Sequence, residues 1–277
     1  MSVRKRALPQ GWYPSGAERT RSAIEAMAKG FTPVHDASGI AGVVPHAGWE
    51  FSGSLVLEVM TTFSRLVDTI VIIGGHLGPA DGILCASEDF YETPLGLMPA
   101  DLDLRDVLAS RVSMSEDLYA DNSVEVLLPF ARYLFPDARA LGLRCAPTRE
   151  AVALGKAIAD AGRQLKRRIA VLGSTDLTHY GPNYGFCPAG SGESGVSWVQ
   201  EVNDRRLVEA LLAMKPEKVL DLATTEKSAC SAGGAVSALS FAHELGVVRG
   251  ALVRYATSLD VHRADSFVGY AGVLYRL

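Results

Sequence analysis

The sequence predicts an α/β fold: a single domain spanning residues 1–277, in which a largely parallel or mixed central sheet carries helices on both faces. Two observations lead to this prediction. The chain has 277 residues, of which 48% are hydrophobic and 21% charged, and this is enough to bury one large core. Short β-branched runs alternate along it with longer segments of helical spacing, which is typical of strands joined by helical crossovers.

The apolar runs define the predicted strands. Ile40–Val44, Thr69–Ile73 and Ile169–Leu172 are apolar enough to be buried in the centre of a sheet. Further strands are predicted at Ala140–Arg144, Ala251–Tyr255 and Phe267–Tyr275. Helical spacing marks the segments Gly53–Leu66, Val124–Leu134, Glu150–Lys166, Trp198–Met214 and Ala232–Leu245. Asn183–Gly195 is rich in Gly, Ser and Pro and predicts a surface loop.

Charge and hydropathy argue against several classes of protein. The net charge is −4 and the pI about 5.9, so nothing indicates the basic face of a nucleic-acid-binding protein. The basic start, Met1–Arg6, leads into Pro9 and Gly11 and not into an apolar stretch, so no signal peptide is predicted. No run approaches the ~18 apolar residues of a membrane span, and no membrane association is expected.

Cysteine usage indicates a reducing compartment. The chain has four cysteines and no Cys-x-x-Cys pair. Widely scattered cysteines in a chain of this length are typical of reduced thiols, so we predict a cytoplasmic protein. The oligomeric state is left open. The cysteines are Cys85, Cys145, Cys187 and Cys230.

Three histidines follow predicted strands. His46 comes after the first buried strand, His76 after the second and His179 shortly after the third. Ligands of open α/β sheets bind beyond the carboxyl ends of the strands. One histidine after a strand is usually a loop residue bonded to nearby backbone, but three of the six histidines at equivalent strand ends predict a convergent site.

Cys230 is the fourth element of this predicted site. It precedes Ser231 and Ala232, where a helix is predicted to begin, and the positive end of the helix dipole favours a thiolate. The alternative is a small buried hydrophobic residue, as most free cysteines are. Two imidazoles and one anionic ligand would leave open positions on a metal ion, in the manner of the facial triad of non-haem iron enzymes.

Asp176 and His179 are predicted to support this chemistry. Their i, i+3 spacing places them on one side of even a single helical turn. Asp176 is a candidate acceptor that orients an imidazole, and His179 is a candidate general acid or base near neutral pH.

Several motifs together resemble the Memo family, whose bacterial and archaeal members are often called AmmeMemoRadiSam system protein B. The resemblance runs from about Gly11 to Gly272, nearly the whole chain. Alone, Pro-His-Ala-Gly with an aromatic residue is moderately specific, but the ordered set is strong. The motifs are Gly11-Trp12-Tyr13-Pro14, Pro45-His46-Ala47-Gly48-Trp49, Gly75-His76, Asn122-Ser123-Val124-Glu125 with Leu128-Pro129, Ser174-Thr175-Asp176-Leu177-Thr178-His179 and the Cys230 segment.

The resemblance implies a fold similar to the class III extradiol dioxygenases, which use non-haem Fe(II). It implies metal-ligand roles for His46, His76 and Cys230, and roles in the pocket for Asp176 and His179. Fe(II) is the expected metal, with Cu or Zn as alternatives. A small-molecule ligand or a peptide is expected in the cleft, since binding of phosphotyrosine peptides is implied for the animal relatives.

The sequence departs from the family pattern at two places. Asn122 stands where relatives often have a histidine, and a neutral amide cannot shuttle a proton at neutral pH. His76 follows Gly74-Gly75, one residue shorter than the usual Gly-Pro-x-His. Three hypotheses share the same ligand set: a metal-dependent oxidoreductase, a non-catalytic binding or accessory protein, and a metal-assisted hydrolase.

Overall fold

The computed structural model describes residues 1–32 and 38–277 and contains a large mixed sheet and a small one. The strands are β1 (Val3–Arg4), β2 (Gly39–Val44), β3 (Thr69–Gly74), β4 (Ile83–Cys85), β5 (Phe90–Thr93), β6 (Gly96–Pro99), β7 (Ser115–Glu116), β8 (Arg139–Cys145), β9 (Ile169–Ser174), β10 (His179–Tyr180), β11 (Ala251–Thr257) and β12 (Phe267–Arg276). The helices are α1 (Ala17–Ala28), α2 (Trp49–Met60), α3 (Leu102–Ala109), α4 (Asn122–Glu125), α5 (Leu128–Leu134), α6 (Glu150–Leu165), α7 (Glu193–Trp198), α8 (Asp204–Leu212), α9 (Pro216–Glu226) and α10 (Ala232–Glu244).

The large sheet has the order β10-β12-β2-β9-β3-β8-β4-β7, and β11 also pairs with β12. Strands β2, β9, β3 and β8 run parallel, whereas β12 is antiparallel to β2. The small sheet consists of β1, β5 and β6. The predicted α/β class with a largely parallel or mixed sheet is therefore confirmed.

Alternating apolar residues in the central strands supply two cores. In β3, Val71 and Ile73 face one side of the sheet, and Ile70 and Ile72 face the other. The first core is covered by α3, α6, α8, α9 and α10, and the second by α1, α2 and α5. Because side chains alternate along a strand, a strand that is apolar at every position needs helices on both faces, as predicted.

All six predicted strands are present, and the helices predicted at Glu150–Lys166 and Ala232–Leu245 are confirmed. The helix predicted at Gly53–Leu66 instead runs over Trp49–Met60. It begins directly after Gly48 and ends before Phe63, which is buried in the second core. The boundary was wrong because a buried residue after a helix continues its apolar pattern.

Two other predicted helices are interrupted. Val124–Leu134 is divided between α4 and α5, and Pro129 lies in the first turn of α5, where a missing N–H is tolerated. Trp198–Met214 contains a π-helical turn at Val199–Asn203 before α8 begins. The loop predicted at Asn183–Gly195 was wrong at its end, because α7 already starts at Glu193. In the described part of the chain, no helix has the length and apolarity needed to cross a membrane.

Candidate metal centre

Three neighbouring strands end at one edge of the sheet, and each leads into a candidate side chain. β2, β9 and β3 lie side by side and run parallel. His46 follows β2, Asp176 follows β9 and His76 follows β3. Cys230 reaches the same edge from the loop before α10. His46, His76 and Cys230 each offer a ligand atom, and these three atoms lie within 4.8 Å of one another. The predicted convergence is present, whereas metal binding by this set stays a prediction.

His46 is held by two contacts of its ring and one of its backbone. Its Nδ1 is 2.9 Å from Oγ of Ser174, and its backbone N–H donates to Oδ1 of Asp176 at 2.8 Å. Its Nε2 is 3.3 Å from Sγ of Cys230. The side chain is buried, so the ring cannot turn freely. Because Nδ1 is engaged with Ser174, Nε2 is the nitrogen available to a metal.

Cys230 is surrounded by imidazoles. Burial opposes ionisation of its thiol, but His46, His179 and His76 outweigh burial and hold the thiol pKa well below its usual range. The helix dipole was the expected cause, yet α10 begins only at Ala232, so the imidazoles are the nearer positive groups. Burial instead raises the thiol pKa of Cys85 and that of Cys145 to about 12. Cys230 is therefore the cysteine suited to act as a thiolate ligand.

His76 sits on a strained turn that packing holds in place. Its backbone φ is 59°, in the left-handed region that few residues other than glycine adopt. A side chain added at Gly74 would collide with Ser123, and one added at Gly75 would collide with Ser231. These glycines let α4 and the start of α10 approach the end of β3 closely. Strain of this kind persists only where the surroundings fix it, and it clusters at functional sites.

Asp121 orients His76, and sequence reasoning missed it. Nδ1 of His76 is 3.1 Å and 3.2 Å from the two carboxylate oxygens of Asp121. The hydrogen bond with Asp121 is the largest cause that raises the pKa of His76 to about 10, and Cys230 adds to it. A carboxylate on Nδ1 leaves Nε2 of the ring for ligation.

Arg144 forms an ion pair with the Asp121 carboxylate that contacts His76. Its Nη1 is 3.5 Å from Oδ2 of Asp121, and its Nη2 is 2.5 Å from Oδ1 of Asp117. Arg4 also pairs with Asp117, at 3.2 Å. Arg144 lies on β8, next to β3, and is buried. Asp121 is thus placed by its ion pair with Arg144 and by the hydrogen bond that its carboxylate accepts from the Ser123 N–H at the start of α4.

Asp176 and His179 lie together at the other side of Cys230, as their spacing predicts. Nε2 of His179 is 3.7 Å from Oδ2 of Asp176 and is buried without a hydrogen-bond partner in the described residues. Burial opposes protonation of His179, but the neighbouring Asp176 and Cys230 raise its pKa to about 9. Ligand atoms of Asp176, His179 and Cys230 also lie within 4.8 Å of one another. His179 is therefore able to present a proton beside the thiolate.

The model of the Memo-like protein family matches residues 4–274. The chain belongs to the Memo family. It is 30% identical to a MEMO1 family protein of Thermococcus onnurineus and 30% identical to one of Pyrococcus furiosus, and each alignment covers 99% of both chains.

Among solved structures, an uncharacterized protein from Escherichia coli K12 is similar in fold. The TM-score is 0.57 at 15% sequence identity, and the match covers 84% of this chain and 98% of that one. The Memo family is related to the extradiol dioxygenase fold, as the sequence resemblance implies. At this identity the likeness shows the fold alone.

The departure of this Memo chain at Asn122 now has a structural explanation. Nδ2 of Asn122 donates to the backbone carbonyl of His46 at 3.2 Å. The amide thus holds the turn that carries His46, and it needs no titratable proton to do so. Asn122 also lines an open cleft whose lining includes His46, His76 and His179. The shorter turn before His76 does not displace that ring, whose centroid is 4.8 Å from that of His46.

Replacing Asp121 with asparagine is expected to lower the affinity for Zn²⁺ about 10- to 100-fold, the usual effect of removing a group that orients a metal-bound histidine. The amide has the size of the carboxylate but lacks its charge, so His76 is less firmly oriented and less basic. Competition with a chromogenic chelator measures the affinity.

Asp68→Asn is the matched control for this experiment. Asp68 pairs with Arg168 at 2.7 Å, and its backbone lies next to the start of β3, at the opposite edge of the sheet. Its loss should leave Zn²⁺ affinity unchanged. Equal affinities of the Asp121 and Asp68 variants would show that Asp121 does not position His76.

Proposed function

We propose that this Memo-family chain is a non-haem metal-dependent oxidoreductase. His46, His76 and Cys230 are proposed as the metal ligands, His179 as the general acid or base, and Asp176 as the residue that orients it. The observation that supports the proposal most is the convergence of two imidazoles and one thiol within 4.8 Å at the base of a cleft.

The donor set fits a metal ion. Zn–N and Zn–S bonds of ~2.0–2.3 Å place neighbouring ligand atoms roughly 3.3–3.7 Å apart. Nε2 of His46 and Sγ of Cys230 are 3.3 Å apart, so little movement is needed. Ser174 engages the far nitrogen of His46, and Asp121 engages that of His76. This pattern of supporting contacts is typical of metal-bound histidines.

Fe(II) is the proposed metal, and Cu and Zn accept the same ligands. A bound redox metal would supply one-electron chemistry and an open coordination position. The chain's own residues supply the proton chemistry: His179 holds a proton at Nε2, and Asp176, 3.7 Å away, favours its charged form. We place this activity in the cytoplasm, where scattered thiols stay reduced.

A second candidate function is that of a non-catalytic binding or accessory protein that holds a small molecule or a peptide in the same cleft. The observation that favours it is Asn122, which replaces a proton-handling histidine with an amide bonded to the backbone of His46.

Elemental analysis of protein purified aerobically and anaerobically tests the proposal. We expect about one equivalent of iron in the anaerobic preparation. With simple catechols, we expect oxygen uptake and ring-fission products to remain at background, because a thiolate ligand shifts the redox potential away from that of carboxylate sites and is itself oxidisable.

Sustained catechol turnover that is lost in both Cys230→Ala and His179→Ala would show a ring-cleaving dioxygenase and contradict this expectation. Protein that takes up no metal under either condition would contradict the oxidoreductase and leave the binding role.

A further inference from the structure

The cleft above the candidate metal centre has the size of a small-molecule site. Its volume is about 530 Å³, within the ~300–1,000 Å³ usual for such sites. His46, His76 and His179 lie among its lining residues, and the segment Gln10–Trp12 forms part of its wall. A ligand in this space would touch both the cluster and the walls.

The walls are aromatic. Phe51 and Tyr270 belong to one apolar cluster with Ala47 and Val268, and all four line the cleft. Tyr184 lies over His179, with ring centroids 4.9 Å apart. Flat apolar surfaces of this kind favour a ring that packs against them, because aromatic pairs gain energy beyond the burial of their area.

The outer cleft contains no cation from lysine or arginine. The chain has 27 such residues, yet none is among the described residues that line the cleft. Outside the cluster, the polar groups of the lining are neutral except for the exposed His262; they belong to Gln10, Asn122, Tyr184, Ser258, Ser266 and Tyr270. An anionic group placed among them would lose water without gaining an ion pair, which is unfavourable.

The imidazoles at the base do not change this conclusion, because each already lies next to a carboxylate. His76 lies beside Asp121, and His46 and His179 lie beside Asp176 and Cys230. The base of the cleft thus offers hydrogen-bonding groups and a candidate metal, while the walls offer apolar surface.

We infer that the cleft binds a small aromatic molecule that carries no anionic group, with a hydroxyl or similar neutral polar group directed to the base. This inference deepens the proposed function and rests on it for the role of the cluster. We therefore expect that this chain does not bind phosphotyrosine in the cleft, unlike what is implied for the animal relatives. A phosphate on the ring would meet no arginine or lysine among the residues that line the cleft.

Calorimetric titration with three matched probes tests the inference: 4-ethylphenol, 4-hydroxyphenylacetate and phenyl phosphate. 4-Ethylphenol and 4-hydroxyphenylacetate share the ring and the hydroxyl, and differ only in that a carboxylate replaces the terminal methyl group. We expect 4-ethylphenol to bind at least tenfold more tightly than either anion in the metal-free protein, where no metal ion adds positive charge at the base of the cleft. Binding of either anion equal to or tighter than that of 4-ethylphenol would overturn the inference.

Variants then locate the binding. Phe51→Ala and Tyr184→Ala should each weaken 4-ethylphenol binding about tenfold. Tyr119→Ala is the control, since Tyr119 is 75% exposed and lies outside the cleft lining. Tyr184 is 45% exposed on a one-turn segment, so its variant should fold even if Phe51→Ala does not. Unchanged binding in Tyr184→Ala and in folded Phe51→Ala would overturn the inference.

The two proposals fail separately. If the chain binds no metal but metal-free protein still prefers 4-ethylphenol, the oxidoreductase proposal fails and the ligand inference stands. If metal binds through His46, His76 and Cys230 but 4-ethylphenol does not bind, the ligand inference alone fails.

Discussion

Cys230→Ala is expected to lower Zn²⁺ and Fe²⁺ affinity roughly 100-fold or more, because structural metal sites derive ~10–16 kcal/mol from only a few ligands. The substitution removes the only thiol among the three converging ligands and leaves His46 and His76 in place. Chelator competition measures the loss for Zn²⁺, and elemental analysis of anaerobically loaded protein measures it for iron.

Serine and a second cysteine provide the controls. Cys230→Ser keeps a small polar side chain but has no thiolate, so it should lose nearly as much affinity as alanine. Cys187→Ala removes the exposed thiol and should bind metal like the unaltered protein. If Cys230→Ala retains full affinity, the proposed ligand set is wrong and a set that omits the thiol must hold the ion.

The fold and much of the site could be predicted from local sequence because buried strands carry a strong apolar signal. Ile70–Ile73 is apolar at every position and supplies both cores. Once parallel strands are assigned, geometry brings His46, His76 and Asp176 to one edge. The position of these side chains follows from two facts: they come directly after strands, and neighbouring parallel strands end together.

Asp121 and Arg144 could not be predicted in this way. A charged residue in a loop usually faces solvent, and the pairing of Arg144 with Asp121 depends on β8 lying beside β3. Asp121 did carry one signal, since an aspartate just before a short helix is a common N-cap, and it does accept from Ser123 N–H at 2.9 Å. Nothing local indicated that its carboxylate also reaches His76.

Helix interruptions escaped prediction for a related reason. Asn203 and Asp204 are buried side by side where the π-helical turn meets α8. Asn203 Nδ2 donates to Oγ1 of Thr178 at 2.9 Å, and the carboxylate of Asp204 accepts from the Thr178 backbone N–H at 3.1 Å. These bonds tie the helix to the segment that carries His179, so tertiary contacts outweigh a continuous helical pattern.

The approach of α10 to the sheet also positions Cys230. A side chain added at Gly234 would collide with the backbone carbonyl oxygen of Ile73, at the end of β3. Likewise, one added at Gly173 would collide with the carbonyl oxygen of Gly234. Backbone atoms in a sheet cannot move aside as a flexible side chain can. Only glycine at position 234 lets the first turn of α10 lie against the strand ends.

Gly234→Ala is therefore expected to lower the free energy of unfolding by about 1–3 kcal/mol or more, although alanine is the better helix former. The added methyl group forces α10 away from β3 and separates Cys230 from His76, so Zn²⁺ affinity should fall as well. Urea denaturation of the metal-free protein measures the first effect, and chelator competition measures the second.

Ser240→Ala is the matched control on the same helix. Ser240 is buried, and its hydroxyl has no hydrogen-bond partner within residues 1–32 and 38–277. Its removal should leave stability unchanged or slightly higher, because a buried unpaired hydroxyl is unfavourable, and metal affinity should not change. A Gly234→Ala protein as stable and as tightly metal-binding as Ser240→Ala would show that close packing of α10 does not set the position of Cys230.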